Sequence, residues 1–165
     1  MFRRLALPAL YTILAAAPVA AQSVQALGDF RDWSAYSASD GTGRVCFALS
    51  KPKSVEPAVD GYGQAYLYLT NRPGEGVANE INLVAGFTFA PDQPATLTVG
   101  SASFELFTQQ DAAWLLDASQ ADNLAGAIRA GATLAVAGTS EKGILVTETF
   151  SLSGATAASR AIGSC

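Results

Sequence analysis

The feature that most constrains this chain is a series of short runs in which apolar and polar residues alternate. Each run is stopped by glycine-rich turn residues. In "QAYLYLTNR" (64–72), Ala65, Leu67 and Leu69 point one way and Tyr66, Tyr68 and Thr70 the other. A period of two is the signature of a strand with one buried face. "EINLVAGFTF" repeats it, with Ile81, Leu83, Ala85 and Phe87 sharing a face. "FRDWSAYSASDGTGRVCFALS" reads as two strands around a turn at "SDGTG", where Asp40-Gly41 and Gly43 supply the turn chemistry. "ATLTVGSASFELFTQQDAAWLL" reads as consecutive strands split at Gly100-Ser101 and at "QQD". "ATLAVAGTSEKGILVTETFSLS" reads as a hairpin turning at "SEKG". Between them, 51–63 ("KPKSVEPAVDGYG") has two prolines, two glycines and no period, so it reads as a loop, and "PGEGVAN" reads as a second turn.

Two segments carry the helical period instead. In "DASQADNLAGAIRAG", Ala121, Leu124, Ala125 and Ile128 fall on one face, with Asp117 or Ser119 as cap and Gly131 as the stop. At the end of the chain, Ala158, Ala161, Ile162 and Cys165 share a face, with Ser153 as the expected cap. About eight short strands and two small helices predict a mainly β fold, an antiparallel β-sandwich or barrel-like structure with two short packed helices.

The first residues are an address rather than a part of that fold. Arg3 and Arg4 precede an apolar run at 5–17, and Val19-Ala20-Ala21 offers small residues for cleavage. This is the pattern of a secretory signal peptide, and the run is too short to span a bilayer. The expected division is 1–21 signal peptide and 22–165 a single β-rich domain, periplasmic or secreted. With Arg3 and Arg4 gone, 8 basic and 14 acidic side chains remain, a net charge of −6. Such a surface argues against nucleic acid, whose binding is dominated by phosphate contacts, and no membrane insertion after cleavage is expected.

The chain holds two cysteines, Cys46 and Cys165. An even pair in an exported protein favours a disulfide. The last helix turns Cys165 inward, and "RVCFALS" places Cys46 in a core strand. A bond would close a loop of about 120 residues, worth roughly 4–5 kcal/mol by loop entropy. Two free thiols are the alternative.

Catalytic chemistry is scarce. The chain contains no histidine, which removes Ser-His-Asp and Cys-His nucleophile systems and His-containing zinc sites. No nucleotide-binding glycine pattern occurs. Carboxylates remain the available acid–base groups, in the close pairs Asp29/Asp32, Glu75/Glu80 and Asp117/Asp122, but sequence spacing does not make two acids face each other across a pocket. Lys51, Lys53 and Lys142 lie in turns, and Ser50-Lys51 or Ser140 with Lys142 are neighbours in sequence alone. No catalytic residue, metal site or cofactor is assigned. Among the aromatics Trp33, Tyr36, Tyr62, Tyr66, Tyr68 and Trp114, the expected contact surface is Tyr62, Tyr66 and Tyr68, because tyrosines side by side on an outward strand face suit protein recognition. Ordinary packing on both faces is the alternative.

Three stretches, "FRDWSAYSASDGTGRVCFALSKPK", "AYLYLTNRPGEGVANEINLVAGF" and "AIRAGATLAVAGTSEKGILVTETFSLSGATAASRAIGSC", resemble, in their order, the invasion-associated locus B family of exported alphaproteobacterial proteins. The resemblance spans most of 29–165. It implies Cys46–Cys165 as a disulfide, Trp33 and Trp114 as packing residues, and no catalytic residue. The expected function is therefore a non-enzymatic envelope protein acting by contact with another envelope or host protein. The alternatives are a periplasmic carrier of a small apolar ligand and a hydrolase built on carboxylates.

Overall fold

The computed structural model describes residues 24–41 and 43–165, so the expected signal peptide lies outside the described residues. The alternating runs become β1 (Gln25–Phe30), β2 (Trp33–Asp40), β3 (Gly43–Ser50), β4 (Ser54–Glu56), β5 (Tyr66–Arg72), β6 (Val77–Val84), β7 (Ala95–Val99), β8 (Ala102–Gln109), β9 (Ala112–Leu115), β10 (Thr133–Thr139) and β11 (Leu145–Ser151). The helices are α1 (Ala121–Ala130) and α2 (Ala155–Gly163). All eleven strands form one antiparallel sheet in the order β1-β2-β3-β5-β6-β9-β8-β7-β10-β11-β4. The mainly β class with two helices is as the sequence predicts.

The sheet is not closed, so of the two expected forms the barrel is corrected. Its end strands β1 and β4 do not pair. Isolated bonds tie the start of β2 and the turn before it to the end of β11. Asp32 N–H donates to the Ser153 carbonyl (3.2 Å), and the Trp33 indole N–H donates to the Ser151 carbonyl (2.9 Å). Lys53 N–H donates to Thr149 O (2.6 Å), extending the β4–β11 pairing, and Ser50 Oγ donates to Asp32 O (2.7 Å) beside the β2–β3 pairing.

On the buried face of the sheet, Leu67, Leu69, Ile81, Leu83, Leu97, Leu106, Leu134, Val136, Val146 and Phe150 form one continuous core. The parity read from 64–72 is kept: Leu67 and Leu69 are buried while Tyr66 and Tyr68 are half-exposed. Helix α2 packs on β1, β2, β3 and β5. Small residues on both sides, Ala35 and Ala48 from the sheet and Ala155 and Ala158 from the helix, are fully buried there and allow close approach. Cys46 and Cys165 are joined as a disulfide across this contact, with Cα atoms 5.9 Å apart.

Three local expectations are corrected. Ser153 is not the cap of α2; Gly154 is, at φ 96°. A side chain there would place Cβ against the Phe30 carbonyl, so the chain needs glycine both for the left-handed turn and for the close approach. The loop 51–63 contains β4, which pairs with β11 through Val55 and Glu148. The strand expected at 80–89 ends at Val84, and Ala85, Phe87 and Phe89 are buried beyond it.

Candidate functional site

Cross-strand register carries side chains of like parity onto the same face. On the outward face, Tyr36 of β2 lies opposite Phe47 of β3, and Leu49 opposite Tyr68 of β5. Tyr68 lies opposite Asn82 of β6, Asn82 opposite Trp114 of β9, and Trp114 opposite Phe107 of β8. The result is a row across six strands in which five give an aromatic side chain and β6 gives Asn82. Tyr36 stacks on Phe47 at 5.4 Å between centroids, Phe47 meets Tyr68 at 6.2 Å, and Tyr68 meets Tyr66 at 6.2 Å. At the other end Phe107 stacks on Trp114 at 5.3 Å, and Phe107 is exposed. Burial, with Tyr66 beside it, pushes the Tyr68 phenol above its ordinary value.

Polar groups punctuate this row. Arg72 reaches Glu80 through both terminal nitrogens (2.9 and 2.8 Å) and Glu75 through Nε (3.0 Å). The Asn82 amide donates to the Ala113 carbonyl (3.2 Å). Phe47, Tyr68, Thr70, Arg72, Asn82 and Trp114 line a shallow depression of ≈ 410 Å³. Next to it, between β6 and β9, lies a deeper wedge of ≈ 500 Å³ that shares Glu80 and Trp114.

Of the three expected contact tyrosines, the structure brings Tyr66 and Tyr68 together and separates Tyr62 from them. Tyr62 stacks on Phe87 (5.1 Å), and its hydroxyl is buried without a hydrogen-bond partner. Lys142 lies over the Tyr62 ring at 5.4 Å and Lys51 over Tyr66 at 5.8 Å, cation–π contacts that use both amines. Trp33 is a core residue, as the resemblance implies, whereas Trp114 stands on the outward face. Phe47 and Phe107 were not singled out from the sequence, although each has the parity opposite to a buried neighbour, Cys46 and Leu106.

The close carboxylate pairs do not assemble an acid–base site. Asp29 accepts from the Ser34 hydroxyl (2.6 Å). Asp32 pairs with Lys53 (2.5 Å), and that bond is the main reason its carboxyl sits below the ordinary value. Glu75 and Glu80 share Arg72. Asp117 caps the short turn Ala118–Gln120, and the bonds from Ser119 hold its carboxyl down. Ser50 is spent on Asp32 O, and Ser140 accepts from Ile144 N–H at 3.3 Å. Among the described residues, no group of three or more His, Cys, Asp or Glu side chains is placed to hold a metal.

One acid escaped the sequence reading. Glu148 occupies an inward position of β11 between Val146 and Phe150 and is 2% exposed. The Gly86 N–H reaches Oε1 at 3.5 Å, and Oε2 has no partner. Burial pushes its carboxyl up to about 7. The alternation Val146-Thr147-Glu148-Thr149-Phe150 is the signal that locates it.

No family model, no curated protein and no solved structure matches this chain.

Proposed function

We propose that this chain is a non-enzymatic, exported envelope protein, periplasmic or secreted, that works by contact with another protein through its outward aromatic face. The observation that carries this reading is the row Tyr36–Phe47–Tyr68–Asn82–Trp114–Phe107, which runs across six strands with its rings half-exposed or exposed. Aromatic side chains are rigid and amphipathic and dominate recognition surfaces. The disulfide agrees with an oxidising compartment outside the cytoplasm, and among the described residues no helix is long and apolar enough to cross a membrane. The partner is an envelope or host protein, in line with the resemblance to the invasion-associated locus B family. A carrier of apolar ligands between the sheet layers draws less support, because Leu67, Leu83, Leu97, Leu106, Leu134 and Phe150 already fill that interior.

Capture of partners from envelope extract tests the reading. The unaltered protein should retain partners that a Tyr66→Ser/Tyr68→Ser double variant loses. Equal recovery by both would remove this surface.

A further inference from the structure

Strands β6 and β9 pair over three residues, Asn82–Val84 with Ala112–Trp114, and pair no further. Beyond Asn82 the two strands border the ≈ 500 Å³ wedge. Its inner end is closed. Ile81 is 2% exposed and belongs to the core, and α1 packs on β6. Glu80, Phe107 and Trp114 have outward parity, so the wedge is a blind cavity that opens on the outward face. Sites for small molecules run from roughly 300 to 1,000 Å³, and this cavity falls within that range.

The lining selects the chemistry of an occupant. Phe107 and Trp114 lie within 19° of parallel, with centroids 5.3 Å apart, and make one aromatic wall. Gly76, Ala78, Ala118 and Ala121 are small, which leaves room for a flat body to stack against that wall. Charge is already committed. Glu80 is the one charged residue of the lining, and Arg72 donates to both its oxygens. A charged ligand would lose water there and gain no free counter-ion. Hydrogen-bonding capacity, by contrast, is open. Asn79, Gln109 and Trp114 line the wedge, and among the described residues their side-chain amides and indole N–H have no hydrogen-bond partner. A side-chain amide offers donors and an acceptor together.

We propose that the wedge between β6 and β9 binds an uncharged, flat aromatic small molecule whose edge carries a hydrogen-bonding group of the carboxamide type. The ring stacks on the Phe107–Trp114 wall, and the polar edge meets the amides of Asn79 and Gln109. This inference goes beyond the contact reading and stands apart from it, because Tyr66 and Tyr68 do not line the wedge.

Naphthalene-2-carboxamide, titrated into the purified protein labelled with nitrogen-15, is the probe. Saturable binding should shift the Trp114 indole N–H signal. The Trp33 signal should stay in place, since that ring is 1% exposed and its N–H is held by Ser151. Ala78→Leu and Ala118→Leu fill the wedge from exposed positions that the fold does not depend on. Each should weaken binding by about ten-fold, the loss of a stacking contact. Gln109→Leu should weaken it by about three-fold or more through the lost hydrogen bond. Naphthalene-2-carboxylate, which is charged, and cyclohexanecarboxamide, which is not flat, should each bind about ten-fold more weakly. No saturable shift at Trp114, or undiminished binding by the two filled variants, overturns the proposal. Equal binding by the carboxylate or by the cyclohexane amide also overturns it, as does a shift at Trp33 as large as that at Trp114. Partner capture decides the contact reading independently. If Tyr66→Ser/Tyr68→Ser loses its partners while the probe fails to bind, the ligand site alone falls. If the probe binds and that variant keeps every partner, the ligand site survives without the tyrosine surface.

Discussion

Replacing Glu148 by glutamine should remove most of the pH dependence of folding stability between pH 4.5 and 7. The ordinary carboxyl value is 4.5 and burial raises it to about 7, with the weak Gly86 bond acting the other way. The folded state therefore holds its proton where the unfolded state releases it. Glu148 contributes fully below pH 4.5, and its contribution is lost as pH rises toward 7. The difference in pKa corresponds to about 3 kcal/mol, with a slope of at most about 1.4 kcal/mol per pH unit. The window is clean because the chain has no histidine. Asp32 and Asp117, held below 3.8, contribute their stability above that value and lose it as pH falls beneath it, outside the window. Urea unfolding followed by tryptophan emission, at half-unit steps from pH 4.5 to 8, measures the effect. The unaltered protein should lose stability across the window. Glu148→Gln should give a nearly flat line that meets the parent at pH 4.5 and lies above it by up to about 3 kcal/mol at pH 8. A parent with no slope, or a variant that keeps the parental slope, would refute the assignment of the buried charge.

Other expectations follow from the packing. A Cys46→Ala/Cys165→Ala variant should lose about 4–5 kcal/mol by the loop-entropy model for a separation of 119 residues, read as a lower urea midpoint. Gly154→Ala should destabilise by about 2 kcal/mol or more, since its Cβ would fall against the Phe30 carbonyl and φ is 96°. Trp33→Phe should cost about 1–2 kcal/mol by leaving the Ser151 carbonyl unpaired at the end of β11, and thermal melting would check both. Tyr68→Ser should change the melting temperature little while weakening partner capture, because the ring stands on the outward face.

Local pattern announced much of this architecture. Leu67 and Leu69 against Tyr66 and Tyr68 and the two helix faces each followed from neighbours a few residues away, and the cysteine pair, 119 residues apart, followed from there being two cysteines to join. What escaped was decided by distant partners. β4 is three residues between two prolines, and only β11 makes it a strand. Tyr62 has no parity to read, since it lies in the loop, and Phe87 draws it inward. The choice of Gly154 over Ser153 as cap depends on the Phe30 backbone, which sequence does not place beside it. The wedge lies where the pairing of β6 with β9 stops at Asn82, and no local signal specifies that pairing. The aromatic row likewise needs the strand order before Tyr68, Asn82 and Trp114 become neighbours.

An open sheet has two rims, and rims are where proteins self-template into fibres. Both are blunted in this molecule. β1 is broken by a register shift between Ala26 and Gly28, with Asp29 beyond it, and β4 is short, lies between Pro52 and Pro57, is preceded by Lys53 and ends on Glu56. Copies of the protein should therefore resist polymerising rim to rim, even at high concentration.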